Sequence, residues 1–110
     1  MKIATIAAAL ALAIAGTAAH ASPIQVKINQ NAIMCASEDN VHEVVKLAQD
    51  GDDQALAEFI TDPTNLCGSP KPGEVFYFEQ LDADTGMVEV RAKGVPISVW
   101  TIKEAVDPIN

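Results

Sequence analysis

Hydrophobic residues recur along this chain in four regimes. From Ile3 to Ile14 they run without a break apart from Thr5. Ile24, Val26 and Ile28 then alternate with Gln25, Lys27 and Asn29, the period of a half-buried strand. Val41, Val44, Val45 and Ala48 fall at i, i+3, i+4 and i+7, one face of a helix. In the last third the period returns to two: Val88, Val90 and Ala92 alternate with Glu89, Arg91 and Lys93.

Local signals set the ends of these segments. Ser37 precedes Glu38 and Asp39, a cap followed by carboxylates where the helix dipole favours them. Gly51 after Asp50 predicts the stop, and Asp52 or Asp53 the cap of a second helix with a stripe of Leu56, Phe59 and Ile60. Asp62-Pro63 ends it. Ala32-Ile33-Met34-Cys35 is apolar enough to pack ahead of this pair. Beyond the helices, Pro70-Lys71-Pro72-Gly73 predicts a type II turn and Val75-Phe76-Tyr77-Phe78 a strand. Asp82-Ala83-Asp84-Thr85-Gly86 is an acidic loop, and Lys93-Gly94 a tight turn. Val95, Ile97 and Val99 predict a further strand, placed at an edge by Pro96. Thr101-Ile102-Lys103-Glu104 has the form of a capping box, so a short helical turn is expected there, stopped by Asp107-Pro108.

The first apolar run changes the picture of the whole chain. Lys2 supplies a positive start, and Ala19-His20-Ala21 places small residues where a signal peptidase cuts. Residues 1–21 are therefore expected to be a signal peptide, too short for a comfortable membrane span. Residues 22–110 are expected to be a single exported domain, periplasmic or secreted, with no stable membrane insertion. That destination is oxidising, and Cys35 and Cys67 are the only two cysteines. Their bond would close a loop around both helices and contribute about 3.7 kcal/mol on the chain-entropy account. For a domain of this size that is a large share of total stability.

Charge narrows the partners. Beyond residue 21, six Lys and Arg face fifteen Asp and Glu, a net charge of −9. Nucleic acid and anionic membranes require basic patches and are not expected partners. An acidic surface is solvated by default; a cationic partner is the sharper reading.

The chemistry-bearing residues are few. His42, beside Glu43, has Lys46 where a second zinc ligand would stand. The loop with Asp82 and Asp84 has its glycine one position early for a calcium loop, and Lys93 stands where the bidentate glutamate belongs. No Gly-x-Ser-x-Gly and no phosphate-binding glycine loop is present. The residues imply no cofactor and no metal. The aromatic residues are more suggestive. Phe76 and Phe78 share one face of their strand and Val75 and Tyr77 the other, so both faces must be covered, one by the helices. Tyr77 and Trp100, with polar tips, are the expected exposed pair.

Pro72-Gly73-Glu74-Val75, Val88-Glu89-Val90-Arg91, Gly94, and Trp100-Thr101 ahead of Ile102-Lys103-Glu104-Ala105-Val106 together resemble a bacterial SH3-like small barrel over about residues 66–107. The resemblance implies a groove-type recognition module. The expected fold is α+β: a short N-terminal strand and a helical hairpin over residues 22–65, then a small antiparallel SH3-like barrel or curved sheet over 66–110. The leading expectation is a non-catalytic binding module for a protein or cell-envelope ligand, contacting it through Tyr77, Trp100, Asp82 and Asp84. One alternative is a small acidic inhibitor of a secreted cationic hydrolase. Another is a small hydrolase or metal-dependent enzyme built on His42, Glu43 and the acidic loop.

Overall fold

The computed structural model describes residues 23–109. The leader expected over residues 1–21 lies outside them. Strands β1 (Gln25–Ile28), β2 (Met34–Cys35), β3 (Cys67–Gly68), β4 (Val75–Asp82), β5 (Met87–Ala92), β6 (Ser98–Ile102) and β7 (Val106–Pro108) form one sheet. Every pairing is antiparallel, and the order is β3-β2-β6-β5-β4-β1-β7, an open sheet. Helices α1 (Glu38–Gln49) and α2 (Asp53–Thr61) are inserted between β2 and β3. The fold is α+β, with the short first strand and the helical hairpin expected from the sequence.

Alternation puts two apolar sets on opposite faces of this sheet. Val26, Ile28, Met34, Phe76, Val88 and Val90 form one buried cluster, with Phe78, Ala92, Val99 and Val106 packed against it. All come from strands. Met34 of β2 and Ile28 of β1 meet in it although they are four places apart in strand order, so the sheet curls around the cluster. The other face carries Cys35, Met87, Trp100 and Ile102, and the helices cover that part with Val41, Val44, Val45, Leu56, Phe59 and Ile60.

The helices obey their local signals. The Asn40 backbone N–H donates to Ser37 Oγ at 3.2 Å, and the Ala55 N–H to Asp52 Oδ1 at 3.1 Å. Gly51 takes φ +72°, a left-handed turn that glycine adopts without a Cβ clash, and stops α1. The carboxylate of Asp62 ends α2 and accepts from the N–H and hydroxyl of Thr64, which holds it below the ordinary aspartate range. Asn65 and Leu66 then return the chain to β3. Cys35 and Cys67 stand opposite one another in β2 and β3, their Cα atoms 4.0 Å apart, and are disulfide-bonded. The bond closes the helical insert at its base.

Three expectations need correction. The strand expected from Val95 at an edge begins at Ser98 and pairs with both β2 and β5, and Val95 and Ile97 are exposed in the β5–β6 turn. Pro96 has no N–H to give a ladder, and Gly94 has already turned the chain. Thr101 caps no helix: it is fully buried in β6, and its hydroxyl donates to the Ile33 carbonyl at 3.1 Å. Lys103–Ala105 form only a 3₁₀ turn without a side-chain cap. Asp107-Pro108, expected to end structure, instead belongs to β7, which pairs with β1 at the sheet edge, where proline is tolerated.

Candidate functional site

Tyr77 lies in β4 directly opposite Arg91 of β5. The guanidinium sits 5.2 Å from the ring centroid. Arg91 Nε also donates to Glu79 Oε2 at 3.1 Å, and Nη1 to the Val95 carbonyl at 3.3 Å. Tyr77 is therefore half-buried under a cation that is itself held in three directions. Trp100 shares this face of the sheet, since Trp100 opposes Glu89 and Glu89 lies two residues before Arg91. It also opposes Cys35 and packs among the helix residues, so its ring seats the helical pair.

The acidic pair lies farther along. Asp82 ends β4 opposite Met87, five residues beyond Tyr77 or roughly 15 Å along the strand. Its carboxylate accepts from the Asp84 N–H at 3.0 Å, and Asp84 is exposed in the turn. Thr85 donates its hydroxyl to the Glu38 carboxylate, which ties the β4–β5 turn to the first turn of α1. The Thr85 hydroxyl draws Glu38 down most strongly. Desolvation, a hydrogen bond with Asp82 and the charges of Asp82 and Asp39 outweigh it and hold Glu38 above its ordinary 4.5. Asp82 is held below its ordinary 3.8, first by that hydrogen bond and then by the Asp84 N–H. Tyr77, Trp100 and Asp82 thus share one sheet face without converging on one point.

His42 is exposed on α1. Among the described residues, no three His, Cys, Asp or Glu side chains are grouped so as to hold a metal ion.

A concave feature lies on the helical side. An apolar groove of about 280 Å³ runs between the helices, the Asn31–Ile33 segment and Ile102 of β6. Val45, Ala48 and Leu56 form one wall and Ile33 and Ile102 the other, with Gln49 and Asn31 as the polar members. Its origin is legible in α2, none of whose side chains is fully buried: Leu56, Phe59 and Ile60 dock at partial depth, and Leu56 lines the groove. Sequence periodicity assigns these residues to a core stripe. Their surplus is the signal: α2 carries five apolar residues in nine positions, more than one buried stripe needs. The link between the helices, which follows the lining residue Gln49, exposes Asp50, Asp52 and Asp53.

No known protein family, no curated protein and no solved structure matches this chain.

Proposed function

We propose that residues 22–110 form an exported, non-catalytic binding module that recognises a protein or cell-envelope ligand. The observation that carries this reading is the groove between α1, α2 and Ile102, whose lining is apolar and open. Removing such surface from water favours association by about 25 cal/mol per Å². The Cys35–Cys67 bond supports an oxidising compartment, periplasmic or extracellular. In this reading Trp100 is a positioning residue that seats the groove wall, while Tyr77, Asp82 and Asp84 extend the contact surface along the sheet.

The β part is read as SH3-like. Its support is the run β7-β1-β4-β5-β6, five neighbouring strands in which the last returns beside the first after a 3₁₀ turn. On this account the helical pair is an insert after the first strand. The second functional reading, an acidic inhibitor of a cationic hydrolase, is favoured by the exposed carboxylates of the helix link.

The test is capture from envelope extract of the native host. Immobilised oxidised protein should retain a partner that Ala48→Arg loses and Glu74→Gln keeps; both positions are exposed, so neither change should unfold the domain. A partner retained equally by Ala48→Arg removes the groove from the reading. Slowing of a cationic secreted hydrolase at micromolar protein would select the inhibitor reading instead.

A further inference from the structure

The charge of this molecule is unevenly shared between its two parts. Between residues 38 and 62 eight carboxylates face the single Lys46. In the rest of the chain beyond residue 21, seven carboxylates face five cations. The helical insert therefore carries −7 of the net −9. Six of the residues that line the groove belong to that insert, and Asp50, Asp52 and Asp53 follow Gln49, one of them, where the two helices meet. Asp52 is engaged in capping α2. The side chains of Asp50 and Asp53 make no hydrogen bond or ion pair among the described residues, although Lys46 stands one turn before Asp50.

We infer that the groove receives a cationic amphipathic segment of a partner polypeptide, with its apolar side chains against Val45, Ala48, Leu56 and Ile102 and its Lys or Arg residues over Asp50 and Asp53. This rests on the binding-module reading above. The volume sits at the low end for ligand pockets, so the groove accepts one or two side chains of a larger molecule. The lining demands that those side chains be apolar. The field around them demands that their flanks be positive. A second copy of this chain would bring another −7 face against the first, and an anionic lipid surface would be repelled in the same way.

The probe is an 18-residue peptide of leucine and lysine with its leucines on one helical face, titrated into oxidised protein and followed by NMR. Micromolar binding is expected, with shifts at Val45, Ala48, Leu56 and Ile102. Affinity should fall at least about tenfold in Ala48→Arg. It should fall several-fold in Asp50→Asn/Asp53→Asn, which leaves the Asp52 cap intact, and again when salt is raised through the range where the Debye length shrinks below about 8 Å. Equal binding of a leucine–glutamate or leucine–serine peptide overturns the charge assignment. Shifts centred on Tyr77, or a concentration-dependent dimer whose formation Ala48→Arg abolishes, overturn the occupant. If the peptide fails to bind while extract still yields a partner sensitive to Ala48→Arg, the partner chemistry is wrong and the groove stands. If the captured partner ignores Ala48→Arg, the underlying reading falls as well.

Discussion

Thr101 carries a hydroxyl into a fully buried position of β6 and donates it to Ile33, so one polar contact pins the segment that forms a wall of the groove. Replacing Thr101 by valine keeps the shape and strands the Ile33 carbonyl. We expect Thr101→Val to cost about 1–2 kcal/mol in urea unfolding, with loosened exchange protection around residues 31–34. A change near zero would mean that water reaches that carbonyl. Thr101 also marks where sequence reasoning stops. With Glu104 three residues on, it satisfies the local pattern of a helix start, yet its strand neighbours Trp100 and Ile102 both face the helices. Burial on two sides of β6 outweighed a local capping preference, and nothing near Thr101 in the sequence reveals that Ile33 will lie beside it.

The ends of α1 and α2, whose signals are local, were legible. Ser37, Gly51, Asp52 and Asp62 each act within four residues of themselves, and each marks a helix end as expected. Elements defined by distant partners were not: β7 exists because Val106 pairs with Ile28, and β2 because Cys35 pairs with Cys67 and Trp100. The tie between the β4–β5 turn and α1 belongs to this second kind and has a pH signature. Glu38 is raised in the folded protein, so its contribution is complete below pH 4.5 and is lost as pH rises through the higher folded value. Asp82 is lowered, so its contribution is present above pH 3.8 and is lost as pH falls through the lower folded value. Glu38→Gln removes the first titration and, because Asp82 is held down first by its hydrogen bond with Glu38, weakens the second. The stability of wild type relative to Glu38→Gln should therefore decline as pH rises above 4.5, where the contribution of Asp82 is already complete, measured as urea midpoints. A difference that stays constant above pH 4.5 would show that Glu38 is not raised in the folded protein.

For the whole molecule the decisive contact is covalent. Cys35 and Cys67 are separated by 32 positions, and their bond fixes both ends of the helical insert to one strand pair. Cys35→Ala/Cys67→Ala should lower stability by about 3.7 kcal/mol on the chain-entropy account. The loss should appear first as weakened protection in α1 and α2, because α2 buries no side chain completely. A loss below about 1 kcal/mol would mean that β2–β3 pairing holds the ends without the bond. The candidate site follows the same division between local and distant information. Tyr77 could be placed on its strand from alternation, whereas Trp100 was expected just ahead of a helical turn, and the groove needs α1, α2, Ile33 and Ile102 brought together from four separate stretches.

The 4.0 Å between the Cα atoms at the base of the insert has one more consequence. A segment whose two ends nearly touch can be exchanged for another without altering how the surrounding strands are ordered. The helical pair is in that sense a cassette, and a replacement need only bring its own cover for Met87, Trp100 and Ile102. The proposed binding preference would then travel with residues 36–66, while the curled sheet beneath serves unchanged as the socket.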